Sequence, residues 1–263
     1  CKMRAWVTPW SSMADLFGKY ELARRIGVGG MAEVFEARTH GAAGFVKDLV
    51  IKRILPVFNE DPDFVRLFIQ EARLAARLQH ANIVQIFDFN QVDGVHYIAM
   101  EWVHGQDLRR IFQAANRRDM PLAGSLAADV GMEVLKGLHY AHTRLDGGTP
   151  MGLVHRDISP HNILISFAGE VKITDFGIAK VAALASTFRS GSVKGKLPYM
   201  SPEQVNSRPV DARSDLFSLG IVLWELLTGR RLYTGGTEAE VFAQVQRAEI
   251  PRPTAFASGI PRD

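Results

Sequence analysis

The chain has 263 residues, 47% hydrophobic and 22% charged, enough for one large domain or two lobes whose core needs no disulfide or metal staple. Lysine and arginine total 31 against 28 acids, and a balance of +3 is too weak to point to nucleic acid or a membrane surface as a partner. Cys1 is the only cysteine, so an intrachain disulfide is excluded and a reducing, cytoplasmic setting is expected.

Residues 1–16 are read as an unassigned extension: Cys1 to Ser12 show no periodicity, nothing there reads as a secretory signal, and Met13 could be a natural start. Strands are expected at Tyr20–Ile26, Glu33–Arg38 and Phe45–Ile54, with a glycine cluster between the first two. Apolar residues at helical spacing (Phe64, Leu67, Phe68, Leu74, Ala75, Leu78) predict a helix over Asp63–Leu78. Ile83–Phe89 and Val95–Glu101 read as strands joined by an Asp93-Gly94 turn. After Gly105 the pattern becomes helical: Asp107–Asn116, Leu126–His142, Ser214–Thr228 with Gly229 as its stop, and Glu238–Arg247. Gly147–Pro150 reads as a loop, and short strands are expected at Ile163–Ser166 and Val171–Thr174. The longest apolar run, Leu216 to Leu227, carries Glu225 and is too short to span a bilayer, so any membrane anchor would lie outside this segment. The sum is an α+β, two-lobed chain, a sheet-rich part to about residue 102 and a helical part from about 103.

Four groups of residues carry chemistry. Gly27-Val28-Gly29-Gly30-Met31-Ala32-Glu33-Val34 fits a flap whose backbone N–H groups approach phosphate oxygens, or a plain tight hairpin. A strand follows it, which argues against the dinucleotide-binding version, where the glycines open a helix. Lys52 ends Leu49-Val50-Ile51-Lys52 and is either a solvated edge lysine or the partner of Glu71, which falls in the apolar stripe of the 63–78 helix and needs a counter-charge there. His155-Arg156-Asp157-Ile158-Ser159-Pro160-His161-Asn162 places a carboxylate and an amide five residues apart, suited to a phosphate and its magnesium or to an ordinary Asx turn. Asp175-Phe176-Gly177 sets a hard carboxylate at a strand end.

A glycine flap, a strand lysine, a helix glutamate, H-R-D-x-x-x-x-N and D-F-G, in that order, form the general kinase template. From about Phe17 to its end the chain resembles the eukaryotic-like protein kinases, and Gly29-Gly30-Met31 looks closest to bacterial Ser/Thr kinases. Tyr199-Met200-Ser201-Pro202-Glu203 resembles the family's A-P-E element, and Asp215 its brace for the catalytic loop, although a helix N-cap is the plainer reading of that residue.

The resemblance implies a kinase domain over 17–263 with an N-lobe of about 17–102, Mg-ATP as cofactor (Mn²⁺ being possible), protein substrates, and no nucleic acid or membrane contact. It implies that Lys52, held by Glu71, grips the α- and β-phosphates, that Asp157 takes the hydroxyl proton or orients the hydroxyl, and that Asn162 and Asp175 hold the metal. Ile26 and the flap Gly27, Val28, Gly29, Gly30, Met31, Ala32 and Val34 would cover the nucleotide. Val34, Val50 and Leu164 would sandwich the adenine, Met100 would back its pocket, Glu101–Val103 would bond the ring, and Asp107 would complete the set.

Departures from the family matter. Ala32 replaces the third flap glycine, Val50 the alanine before the strand lysine, and Ser159 the lysine usual two residues after the catalytic aspartate. Lys196 stands where the family has threonine, and is expected to restore the charge Ser159 lacks; an exposed loop lysine is the plainer alternative. Arg156 is expected to receive a phosphate from Ser186, Thr187, Ser190 or Ser192. The family arginine that pairs with the Glu203 position would fall beyond Asp263, so a fragment of a longer protein is expected. A scaffold pseudokinase and a small-molecule phosphotransferase are the competing readings, and the loop after Asp157 does not read as those of tyrosine kinases do.

Overall fold

The computed structural model describes residues 15–29, 31–118, 120, 122–176, 195–258 and 260, with only the backbone of Glu71. They fall into two compact units, 15–72 with 86–102, and 73–85 with 103 onward.

The first unit is built on a six-stranded antiparallel sheet in the order β1-β2-β3-β4-β6-β5. Its strands are β1 Asp15–Phe17, β2 Tyr20–Val28, β3 Ala32–His40, β4 Val46–Ile54, β5 Ile86–Val92 and β6 Val95–Glu101. Side chains alternate across a strand, so β4 sends Leu49 and Ile51 into a core with Phe17, Tyr20, Leu22, Ala37, Tyr97 and Ala99, and Val50 and Lys52 to the other face. Tyr97 packs edge-on against Phe17 and Tyr20 at 5.3 and 5.5 Å. The β5–β6 turn holds Asp93 at φ 48° and Gly94 at φ 79°, the paired left-handed geometry that a two-residue hairpin needs.

A short helix α1, Pro56–Asn59, precedes α2, Pro62–Ala75. Phe64, Phe68 and Ala72 are the buried positions of α2. It ends at Ala75 rather than at the expected Leu78: Leu78 is buried, but outside the helix, in a cluster of the second unit with Ile83, Ala141, Leu153 and Phe176. Ile83, expected to open the strand to Phe89, instead precedes β5 and makes a parallel bridge to Ile173.

The second unit contains β7 Gly105–Asp107, α3 Leu108–Arg117, α4 Gly124–Thr143, β8 Leu145–Asp146, β9 Thr149–Pro150, β10 Ile163–Ser166, β11 Val171–Ile173, α5 Pro202–Val205, α6 Ala212–Thr228 and α7 Glu238–Arg247. β7 pairs with β10 so closely that a Cβ on Gly105 would lie 1.9 Å from the Ile165 carbonyl oxygen, so only glycine fits there. The loop expected at Gly147–Pro150 is a small β8–β9 hairpin, turned by Gly147 and Gly148 at φ 57° and 88°. Helix α6 buries Leu219, Ile221, Val222 and Leu226 and stops at Gly229, φ 70°, as its sequence predicts. No helix among the described residues is long and apolar enough to cross a membrane.

Candidate functional site

In the second unit, residues 154–162 run between β9 and β10 without regular structure, and their order comes from side chains reaching in. Asp215, fully buried in the first turn of α6, accepts from the backbone N–H groups of His155 and Arg156 at 2.7 Å each and from His142 Nε2 at 2.7 Å. The N-cap reading of Asp215 is corrected: the α6 cap is Asp211, whose carboxylate accepts from Arg213 N and whose pKa that arginine pulls down to about 2.

His155 is fully buried. Its Nδ1 accepts from Asp157 N at 3.2 Å, so the proton sits on Nε2, which donates to the Thr174 carbonyl at 3.1 Å. The ring thereby joins the 154–162 loop to the strand end that carries Asp175. Thr174 N donates in turn to the Asn162 carbonyl at 3.0 Å. Gln204 in α5 donates to the Arg156 carbonyl at 2.8 Å, while its Oε1 accepts from Ser201 N, closing a capping box. Arg156 and Asp175 sit at φ 65° and 60°. Left-handed backbone at non-glycine residues costs on the order of 1–3 kcal/mol, and this network holds both in place.

Asp157 is the focus. Asn162 Nδ2 donates to its carbonyl at 2.8 Å and to its Oδ2 at 2.6 Å, and Lys196 Nζ donates to the same Oδ2 at 2.6 Å. With Nδ2 directed at Asp157, Oδ1 is the Asn162 atom that could accept from or ligate another group. The Asp157 side chain is 8% exposed and that of Lys196 33%. Ser159 is 1% exposed, and its hydroxyl has no hydrogen-bond partner among the described residues. Glu203 accepts from Ser214 Oγ. Leu164 stands opposite Asp107 in the β10–β7 pair.

In the first unit, Lys52 lies on β4, flanked by β3 and β6, opposite Val34 and Ile98. This is a central strand, so the edge-lysine reading is excluded. Val50 pairs with Met100, and Val34, Val50, Lys52 and Met100 share the face turned away from the aromatic core. The flap is a hairpin: Gly27 and Val28 pair with Val34 and Glu33, Gly29 N donates to the Ala32 carbonyl at 2.8 Å, and β2 carries register shifts just before it. The hairpin itself does not require these glycines. Neither Gly27 nor Gly29 is left-handed, and an added Cβ would meet its nearest neighbour only at 3.9 and 3.4 Å. Bare backbone in this place suits a phosphate approaching the N–H groups, and with the central lysine it fits a nucleotide. Ile26 and Met31 flank the flap. Asn162 Oδ1 and the Asp175 carboxylate fit Mg²⁺, which takes one or two protein oxygens together with substrate phosphates. No cluster of three or more His, Cys, Asp or Glu side chains suited to a metal occurs among the described residues.

Gly30, Gly177, Ser186, Thr187, Ser190, Ser192 and the side chain of Glu71 lie outside the described residues. The sequence reading missed His142, the role of His155 and Gln204. A histidine has no local signature for this role; the only sequence signal was Gln204 three residues after Ser201, the spacing of a capping box.

The chain matches the protein kinase domain family over residues 20–258. It is 40% identical over 248 residues to the tyrosine-protein kinase MasK of Myxococcus xanthus, an overlap of 94% of this chain and 38% of that protein. It is 34% identical over 251 residues to the serine/threonine-protein kinase PrkC of Bacillus subtilis, covering 93% of this chain and 36% of PrkC. With PknB of Mycobacterium tuberculosis, also a serine/threonine-protein kinase, identity is 35% over 256 residues, covering 95% and 39%. The chain thus spans less than two fifths of the length of these relatives. Among solved structures, the Mycobacterium tuberculosis PknI kinase domain superposes with a TM-score of 0.68 at 26% identity, covering 94% of this chain and 85% of that one. With a sheet-rich first unit, a helical second unit and the His155–Asn162 loop bonded to Thr174 just before Asp175, the chain belongs to the protein kinase family, as a eukaryotic-like catalytic domain of the bacterial Ser/Thr type.

Proposed function

We propose that the chain transfers the γ-phosphate of Mg-ATP to serine and threonine hydroxyls of proteins. The observation that carries this reading is Asp157, ordered by Asn162 and Lys196 on one side and by the Asp215-held loop on the other. Asp157 orients the acceptor hydroxyl and takes its proton. Lys52, with Glu71 as its partner, holds the α- and β-phosphates, and the 27–34 flap covers them. Val34, Val50, Met100 and Leu164 contact the adenine, Glu101 and Val103 bond its edge, and Asp107 borders the nucleotide. Asn162 and Asp175 hold the divalent cation, which when bound neutralises phosphate charge. The chain's own part is positioning and charge stabilisation, since a loose transition state leaves little covalent work.

Lys196 supplies the cation that Ser159 cannot. Ser159 is buried and neutral, whereas the Lys196 ammonium lies 2.6 Å from the Asp157 carboxylate, beside the place where phosphoryl charge develops. Lys196→Ala should lower kcat by about 10²–10³-fold, the range for losing one transition-state donor, with KM for ATP little changed. An unaltered kcat would show Lys196 to be an ordinary loop lysine.

The test of the whole reading is autophosphorylation. Incubated with Mg-ATP and mapped by mass spectrometry, the chain should carry phosphate on Ser or Thr, the 186–192 hydroxyls being the expected sites and Arg156 the expected receiver of that phosphate. Asp175→Ala should carry none. Phosphotyrosine instead would align the chain with MasK by name. No phosphate on a folded chain that still binds ATP would make it a nucleotide-binding scaffold.

A further inference from the structure

Cations crowd the same loop. Arg109, in the first turn of α3, donates its backbone N–H to the Pro160 carbonyl at 3.0 Å, which pins it to the 154–162 loop. Its guanidinium is half-buried and makes no hydrogen bond or ion pair among the described residues. Arg231 donates to the Tyr199 hydroxyl at 3.0 Å and lies over that ring at 5.5 Å. Tyr199 is in turn bonded through its backbone to the Lys196 carbonyl at 3.0 Å. His161 is exposed between Pro160 and Asn162.

The acids nearby do not cancel these charges. Asp107 is 3.3 Å from Arg110, its neighbour on α3. Asp157 accepts from Lys196. Glu225, 2% exposed, lies beneath the surface, bonded to the Tyr199 hydroxyl at 2.7 Å and 4.0 Å from Arg231. Burial raises its pKa, against the pull of Tyr199, Arg231 and Arg109.

A peptide that brings its hydroxyl to Asp157 must run its neighbouring residues past this surface. We propose that Arg109 and Arg231 form a specificity surface that selects acceptor sites flanked by aspartate, glutamate or phosphorylated residues. The inference rests on the kinase reading above. Arginine pairs with carboxylate and phosphate in the same two-point geometry, and a half-buried arginine whose side chain has no hydrogen-bond or ion-pair partner among the described residues has little left to lose on binding one.

The test uses this chain, Mg-ATP and three synthetic peptides that share a Ser/Thr acceptor and differ in flanks of Asp/Glu, Ala or Lys/Arg. Acid-flanked peptide should exceed the alanine-flanked one in kcat/KM by about tenfold or more, with the ratio shrinking as salt screens the charges. Arg109→Ala should bring the ratio toward one, and Arg109→Lys should restore much of it, a rescue that a merely structural role would not give. Arg109→Glu should favour the basic peptide. Because Arg231 is tied to Glu225, the argument is tested on the Arg109 series, with unfolding midpoints confirming that each variant folds.

Equal use of acid- and alanine-flanked peptides, or a preference for the basic one, overturns the surface and leaves the kinase reading intact. Autophosphorylation without transfer to the acid-flanked peptide also overturns it. Absence of phosphate from every peptide and from the chain itself removes the kinase reading, and this inference with it.

Discussion

Replacing Asp215 by alanine is expected to destabilise the second unit by about 3–5 kcal/mol, the range for removing one partner from a buried charged network. The carboxylate is fully buried and accepts from two backbone N–H groups and from His142, all at 2.7 Å. Alanine leaves two buried amide donors without acceptors, at roughly 1–3 kcal/mol each, and a histidine facing a void. Asp215→Asn keeps one oxygen but presents an NH₂ to a second donor, so its loss should be smaller yet clear. Urea unfolding followed by far-UV circular dichroism measures both. A change within about 0.5 kcal/mol, the ordinary range for surface substitutions, would mean that the loop does not depend on this brace. Turnover should fall with stability in Asp215→Ala, because the loop it holds carries Asp157.

Asp157→Asn is expected to separate the two properties. The asparagine is nearly isosteric and can still bond Asn162 and Lys196 through its oxygen, so stability should move little. The proton acceptor is lost, and kcat should drop by about 10²–10⁴-fold, the usual worth of general acid–base assistance, while KM for ATP stays close to that of the parent. Steady-state transfer to a Ser/Thr peptide reads this directly. A kcat within twofold of the parent would place the acceptor elsewhere.

Much of this was legible in the sequence, for identifiable reasons. β4 was legible from its β-branched content behind a glycine turn, and the two-residue repeat of any strand assigns Lys52 and Val50 to one face. The uniformly apolar α6, with Gly229 behind it, could only be a buried helix with a left-handed stop. Lys196 was singled out because a missing charge at Ser159 and an extra one at Lys196 can be read together, and its ammonium lies 2.6 Å from the Asp157 carboxylate.

What was misread depends on partners distant in sequence. Leu78 keeps the helical spacing of α2, but it is buried with Ala141 and Leu153 after the helix has ended, and spacing alone does not say where a run of hydrogen bonds stops. β7 is three residues containing a glycine, too short for any pattern, and exists only because β10 passes within contact of Gly105. Asp215 reads as a plausible cap from its position before an apolar helix; only the fold shows that it points back to residues 155 and 156, about sixty positions earlier.

Gln204 has a consequence for how order spreads. Its planar amide is used at both ends, the oxygen holding the first turn of α5 and the nitrogen holding the Arg156 carbonyl. One rigid group thus spans two segments 48 residues apart, and neither bond survives if the amide turns over. Fraying of that short helix and slackening of the loop beside Asp157 become a single cooperative event, so the end of the 175–203 segment and the reactive loop share one melting equilibrium.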